Sequence, residues 1–413
     1  VSATLVVDGA RFDFDDAGRV SATARIPMER PVFRASGFDG PRERWRVDGE
    51  TRLRRGALGA TIRDDAVLVL RATAPTRVRV ESAIRPEYDE EKSGRRLVLD
   101  DAGGFGVYPS RPGGGPTDYR LRAGDELWLA VFPARRPNPN RLAQQIAHEG
   151  RPRPFPDATY PSTDVIEDAA RRCHVFALHA YFWKSGPRRL DLRAGRYALR
   201  RRPWTTARHV PSHPDLFARV QDDVRRAGMK LVVYLSPKHS TTPDVFDEMR
   251  RVLDDHGVDG LYLDGLGGDF RANDAVVRRT REILGPDRIL YLNASDEPFG
   301  TPRVFCPFTD AQADFVLRGD AGRGGLALDP FLRFAVSGRN VSNAVGVWCH
   351  YGSAGRPVVV ERAPSAAHVD AALRCGARLW RRSVWGADAL AEFDARYYGA
   401  STKSYSRKSA TAR

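Results

Sequence analysis

From Asp164 onward, short apolar runs alternate with stretches of helical period, and a glycine marks most of the changes. Val175-Phe-Ala-Leu178, Leu231–Leu235, Leu261-Tyr-Leu263 and Ile289–Leu292 read as buried strands. Between them, Leu216, Phe217, Val220 and Val224 share one helical face, as do Val245, Phe246, Met249, Val252 and Leu253. Ser212-His213-Pro214-Asp215 reads as a capping box opening the first of these helices, which Gly228 ends. Thr242-Pro243 opens the second, with proline in the first helical position. A third spans Asn273 to Leu284 and stops at Gly285-Pro286. This alternation predicts a parallel sheet with helices packed on it, as a barrel or as an open doubly wound sheet. No Gly-x-Gly-x-x-Gly follows the first strand and no Walker A loop is present, so the reading is a (β/α)8-type barrel over residues 171–400. Later strands are read at Phe315-Val-Leu317, Val345–Trp348 and Val358–Val360, with an eighth in the 184–210 insertion or near the C-terminus.

Residues 1–150 follow another rule. Leu5-Val-Val7, Val67–Leu70, Val78–Glu81 and Leu127–Val131 are short strand-like runs, separated by turn signals such as Asp8-Gly9, Asp39-Gly40 and Asp48-Gly49. Such spacing predicts an all-β sandwich. Prolines crowd the segment that follows it, and 151–170 is expected to be a linker. Residues 401–413 are rich in Ser, Thr, Lys and Arg without an apolar face, which predicts a disordered basic tail.

A chain of 413 residues accommodates both domains, and 42% hydrophobic with 29% charged residues is ordinary globular composition. No apolar run approaches the roughly 20 residues that span a bilayer. Val1 leads directly into strand-like sequence without a signal-peptide pattern, so the expected location is cytoplasmic. Cys173, Cys306, Cys349 and Cys375 are widely spaced, which predicts reduced thiols and neither a metal site nor a cofactor. The net charge of +14 favours acidic partners, nucleic acid or anionic glycans among them. Most of the excess arginine is scattered over helices, and no nucleic-acid-binding module is recognisable. The one dense run, Arg200-Arg201-Arg202, lies in the insertion and reads as a solvated stretch or as a contact for an anionic substrate.

In a parallel α/β protein the chemistry is built where strands end. Those ends carry His179, Ser236 with Lys238, Asp264, Asn293, Arg318 with Asp320, and His350, beside the aromatics Trp183, Tyr234, Tyr262 and Trp348. Polar groups among aromatic faces suit a sugar ring, which stacks its C–H face and hydrogen-bonds its rim. A carboxylate just past a buried apolar run is costly unless solvated, paired or used, which singles out Asp264. Glycoside hydrolysis needs two carboxyl groups flanking the scissile bond. Asp264 with Asp320 is the chosen pair; Asp296 and Glu297 are the alternatives to Asp320. His179, Trp183, Tyr234, Lys238, Asn293, Arg318, Trp348 and His350 are the expected substrate contacts, although a histidine or aromatic at such a place equally serves a core.

The stretch Gly257-Val-Asp-Gly-Leu-Tyr-Leu-Asp264 resembles the strand-end motif of glycoside-hydrolase (β/α)8 barrels, especially the broad group around the α-galactosidases. Met229–Leu235, Ala313–Asp320 and an N-terminal sandwich strengthen the likeness. The resemblance implies a glycoside hydrolase in which Asp264 is the nucleophile and Asp320 the acid/base. The Lys-x-Asp form of the nucleophile strand is replaced by Tyr262-Leu263-Asp264. The competing expectations are a barrel that binds glycan without cleaving it and, more distantly, a basic nucleic-acid-binding protein.

Overall fold

The computed structural model describes residues 3–37, 45–47, 51–92, 94–111, 115–149, 160–184, 208–237, 240, 244–264, 266, 269–294, 305–318, 327–336, 344–347, 350–351, 357–358 and 363–410. The chain divides into two compact units. The first comprises Val1–Leu142, Phe299–Gln312 and Leu326–Ala344; the second comprises Ala143–Pro298, Ala313–Gly325 and Val345–Arg413.

The first unit holds two antiparallel sheets, of six and eight strands. Alternation sorts each strand into an inner and an outer face. In Thr76–Ser82, Val78 and Val80 are buried while Arg77, Arg79 and Glu81 are exposed. The inner faces of both sheets enter one apolar cluster, with Phe12, Phe14 and Phe33 from one and Leu68, Phe105 and Leu129 from the other. The Phe33 and Phe105 rings meet across it at 5.4 Å between centroids. The two later segments complete this unit. The Tyr108 hydroxyl donates to the carbonyl of Phe305 (2.5 Å), Trp128 packs against Phe308, and Tyr88 stacks on Phe334.

The second unit is built on an eight-stranded sheet: β1 Ile146–Glu149, β2 Val175–Leu178, β3 Lys230–Leu235, β4 Gly260–Leu263, β5 Ile289–Asn293, β6 Phe315–Leu317, β7 Ala344–Val347 and β8 Arg378–Leu379. The strands lie side by side in chain order, with parallel ladders from β1 through β6 and between β7 and β8. Past β8, Arg381 forms a parallel bridge with Ala147 of β1. Its carbonyl accepts from the N–H of His148 (3.0 Å) and its own N–H donates to Ile146 (3.2 Å). The chain just past the last strand of the series is thereby hydrogen-bonded to the first.

Helices follow most strands: α1 Thr163–Ala170, α2 Pro214–Arg226, α3 Val245–His256, α4 Phe270–Leu284, α5 Ala366–Cys375 and α6 Ala387–Ala410. The connections after β5 and β6 instead run through Phe299–Gln312 and Leu326–Ala344 of the first unit. Gly257 closes α3 in the left-handed region (φ 55°), which a glycine adopts without a Cβ clash.

Several expectations need correcting. The boundary at 150 moves, because Ile146–Glu149 is the first strand of the parallel sheet. The stretch expected as a linker contains α1. Ser212 does not cap α2; the N-cap is His213, and the Ser212 hydroxyl donates to the carbonyl of Phe182 (3.0 Å), beside the hydroxyl of Tyr160. Asp244 caps α3 by accepting from the N–H groups of Phe246 and Asp247, with helix starting at Val245. Helix α4 begins at Phe270, capped by Asp269, which accepts from the Arg271 N–H. Pro357–Val358 pairs with His350–Tyr351 in a separate two-stranded ladder, outside the parallel sheet. Helix α6 runs on through residues 401–410, where composition predicts disorder; adding turns to an existing helix costs little compared with nucleating one. The tail beyond 410 lies outside the described residues, as do the turns at 39–40 and 48–49. Among the described residues, no helix is long and apolar enough to cross a membrane.

Candidate functional site

The register of the sheet aligns three tyrosines. Tyr234 of β3 pairs with Tyr262 of β4, and Tyr262 with Tyr291 of β5, so all three side chains leave the sheet on one side. Their rings touch: Tyr262 stacks on Tyr291 at 4.5 Å and meets Tyr234 edge-on at 5.6 Å. His148 of β1 joins this layer, hydrogen-bonded through Nδ1 to the Tyr291 hydroxyl (3.0 Å) and edge-on to Tyr262 at 5.0 Å. His179, just past β2, lies 4.9 Å from Tyr234 and 5.6 Å from His148. Trp380, just past β8, closes the belt against Tyr291 and Phe315. Gly346 of β7 makes room for it: a Cβ there would lie 2.7 Å from the indole.

Two residues along a strand bring the side chain back to the same face. One step past the aromatic belt, towards the C-terminal ends of the strands, that rule places Ser236, Asp264 and Asn293. Ser236 and Asn293 are buried, whereas Asp264 is half-buried. Asp264 is fixed from both neighbouring strands. Its N–H donates to the carbonyl of Leu235 (3.1 Å), and its Oδ1 accepts from Nδ2 of Asn293 (3.0 Å).

The charges around this face are sorted by the same parity. Arg381 points outward, pairing with Asp168 of α1 and Asp394 of α6. Trp380 points inward, and Arg382, extended at φ −140° and ψ 129°, returns to the inward side while remaining 5% exposed. Burial, reinforced by Arg382, depresses the pKa of His179 to about 3. Burial also takes His148 well below the ordinary imidazole value, with Arg382 and then His179 adding to it. Both imidazoles are neutral at pH 7. Glu149, at the end of β1, is 2% exposed and accepts from the N–H (2.7 Å) and hydroxyl (2.5 Å) of Ser383. Burial raises its pKa against the pull of Arg382 and Ser383.

Of the residues singled out from sequence, His179, Tyr234, Asp264 and Asn293 come together here. Tyr234 forms part of the floor and is 2% exposed. Trp183 does not join them. Its indole donates to the carbonyl of Tyr234 (2.7 Å), and its ring lies among Phe182, His209, Phe217 and His256, which makes it a packing residue. Arg318 follows β6, is 1% exposed, and gives its N–H to the carbonyl of Gly346 (3.0 Å). His350 sits in the separate ladder described above. Lys238, Asp320 and Trp348 lie outside the described residues, as do Arg200–Arg202, Asp296 and Glu297. Among the described residues, no cluster of three or more His, Cys, Asp or Glu is placed to hold a metal ion.

Sequence reading missed His148, Glu149, Trp380 and Arg382. A signal for β8 was present in Gly376-Ala-Arg-Leu-Trp380, where a helix-ending glycine precedes a short apolar run, as at Gly257.

No family model and no curated relative matches the chain. Among solved structures it is similar to a xylanase and α-amylase inhibitor protein determined with trehalose, at 12% identity over 62% of this chain and 98% of that one, TM-score 0.38. It is also similar to the spore cortex-lytic enzyme SleL of Bacillus cereus, at 12% identity over 62% of this chain and 61% of that one, TM-score 0.33. A class V chitinase of Pseudomonas fluorescens Pf-5 is similar at 11% identity over 60% of this chain and 97% of that one, TM-score 0.36.

Proposed function

We propose that this chain is a glycoside hydrolase: a β-sandwich followed by a (β/α)8 barrel whose reaction takes place around Asp264. The observation that carries the reading is the setting of that carboxylate. It is half-buried at the end of β4, held at Oδ1 by Asn293, one layer above a belt of tyrosine and histidine rings. Those rings are themselves enclosed and form the floor beneath the carboxylate. Asp264 then serves as the nucleophile, or as the base that activates water. The resemblance to the group around the α-galactosidases supplies the second role, acid/base, for Asp320. A carboxyl separation of about 5–5.5 Å gives retention of anomeric configuration, and about 6.5–9.5 Å gives inversion.

The test is a panel of aryl glycosides and polysaccharides, neutral and anionic, assayed with the full chain and with Asp264→Asn. Hydrolysis by the parent and a loss of at least about a thousandfold in the variant is the expected result. A variant as active as the parent ends this reading. The second reading, glycan binding without cleavage, draws on Glu149. This other described strand-end carboxylate is buried and engaged by Ser383. Saturable glycan binding with no reducing sugar released over long incubation would favour it.

A further inference from the structure

In the first unit, the outer face of the eight-stranded antiparallel sheet carries a patch of a single sign towards one edge. Leu53, Leu58, Ala60 and Leu70 point into the core cluster, so the alternate residues Arg52, Arg54, Gly59, Thr61 and Arg71 face outward. Trp45 is turned into the same core, which turns its neighbour Arg46 outward as well. Register sets these residues in rows. Arg46 stands directly opposite Arg54, Arg54 opposite Gly59 and Gly59 opposite Arg71, with Arg52 opposite Thr61 in the next row. All four arginines are exposed. Gly59 leaves the middle of the row flat: among the described residues, a Cβ there would touch nothing closer than the Arg71 carbonyl oxygen at 3.9 Å.

Other arginines of this unit meet carboxylates. Arg63 pairs with Asp65, Arg30 with Asp100 and Arg96 with Asp89, while Arg77 and Arg79 share Asp118. By contrast, among the described residues none of the guanidinium groups of Arg46, Arg52, Arg54 and Arg71 has an ion pair or a hydrogen bond. Glu126, which faces Arg71 across the ladder, accepts from the Trp128 indole (3.0 Å). Like charges directly opposite on neighbouring strands are destabilising, so the Arg46–Arg54 pair weakens its own edge until an anion bridges it. Edge protection, in which charge keeps a sheet from pairing with another, is the competing account. It calls for charge on the edge strand Arg46–Val47, not on Arg71, three strands in.

We infer that this face is a docking surface for an acidic polysaccharide, a glycan chain bearing uronate carboxylates or sulfates. Arg54 and Arg71 stand two strands apart, about 9–10 Å at the backbone, and Arg52 and Arg54 are about 7 Å apart along one strand. A planar guanidinium fork takes a carboxylate or sulfate through two parallel N–H···O bonds. Among the described residues, no exposed aromatic ring lies between them to stack a neutral sugar or a base. Trp128, the indole on this face, is 7% exposed, packed on Phe308 and covered by the Arg63 guanidinium 4.4 Å from its ring. Single-stranded nucleic acid is held by such stacking, whereas an acidic glycan needs only the charge that the patch offers. The surface belongs to the first unit and does not depend on hydrolysis at Asp264.

The experiment measures binding of the full chain to polygalacturonate and to heparin over a series of NaCl concentrations, beside neutral dextran and a single-stranded oligonucleotide of matched charge. Arg54→Gln/Arg71→Gln is compared with Arg34→Gln/Arg120→Gln, which removes the same charge from exposed positions on the other sheet. The parent should bind at least one anionic glycan and leave dextran unbound. R54Q/R71Q should lower that affinity about 10–100-fold, the loss of charge-assisted hydrogen bonds. It should also make log K fall less steeply with log salt, by about 1–2 in slope. R34Q/R120Q should change the affinity by less than about threefold, since distant surface charges are screened. Polygalacturonate against heparin tells carboxylate from sulfate. No binding of either, an equal loss in the two double variants, or tighter binding of the oligonucleotide overturns the inference. Urea unfolding reports whether R54Q/R71Q is folded. Arg54→Lys/Arg71→Lys, which keeps the charge and removes the fork, should keep the salt dependence and lose part of the affinity. Sedimentation velocity tests the competing account: a glutamine variant that self-associates yet holds glycan as tightly as the parent makes these arginines guards of the sheet edge and ends the proposal.

Discussion

Asn293 reaches across from β5 and donates its Nδ2 to Oδ1 of Asp264 at 3.0 Å, so the orientation of the proposed reacting carboxylate is set by the neighbouring strand. Asn293 is a positioning residue in this scheme. Asn293→Ala should lower kcat by about 10–100-fold, the value of a hydrogen bond to a charged group, with a much smaller change in KM. A steady-state comparison on the best glycoside of the panel checks it. A KM effect with kcat intact would make Asn293 a substrate contact instead.

Gly346 faces the indole of Trp380, and a Cβ there would come within 2.7 Å of the ring. Gly346→Ala should destabilise the second unit by about 1–3 kcal/mol, as overpacked cores do. Trp380→Leu in the same chain should recover part of that loss. Urea midpoints of the two single variants and the double variant test the coupling.

His179 is half-buried and neutral, with a pKa of about 3 against an ordinary value of 6.5. The unfolded chain takes up its proton first as pH falls, so the stability tied to the neutral ring is present above pH 6.5 and is lost between there and pH 3. At pH 5 the loss is about 2 kcal/mol from this residue. Buried His148 adds a loss of the same sign. Urea unfolding of the parent and His179→Gln at pH 7.5 and 5.0 reads it: the variant should lose less stability between the two conditions.

Glu248 acts in a lower pH window. Its Oε1 accepts from the N–H of His209 (2.6 Å) and from Arg251 (2.5 Å), and Oε2 accepts from Arg251 (2.9 Å). Burial opposes ionisation, but Arg251 and His209 outweigh it and hold this carboxyl well below the usual range. The stability it contributes is present above about pH 4.5 and disappears as pH falls further. Glu248→Ala should cost about 3–5 kcal/mol at pH 7 by stranding the partners of a buried pair. Its unfolding free energy should also be flatter than that of the parent below pH 4.5.

The middle of the second unit was legible because each signal there is local. Gly257 ends a helix, Leu261–Leu263 is buried, and Asp264 follows in direct sequence. The first and last strands were not legible. Ile146-Ala-His-Glu149 has no β-branched run, and Arg378-Leu379 is a two-residue strand. Both owe their conformation to partners far along the chain; Glu149 and Ser383, which bond there, are 234 positions apart. Reading Ile146–Glu149 with the first domain hid His148 and its link to Tyr291. Val358, the described part of the run read at 358–360, shows the opposite error, since a β-rich run says nothing about which sheet it joins. Ser212 was read as a cap because its sequence neighbours fit one, while its hydroxyl partners came from Tyr160 and Phe182. Trp183 looked like a sugar platform from position alone, and only the packing of α2 and α3 residues around it identifies it as core.

The passage of Phe299–Gln312 and Leu326–Ala344 through the first unit bears on how the chain is made. Synthesis from Leu142 to Ala344 takes roughly 10–40 s at ribosomal rates of about 5–20 residues per second. For that time Tyr88, Trp128 and the Tyr108 hydroxyl lack Phe334, Phe308 and the Phe305 carbonyl, their eventual neighbours. The earliest-made strands thus emerge with an unfinished aromatic surface, a target for chaperones that grip such patches, and a gene fragment stopping before Phe299 keeps that surface permanently wet.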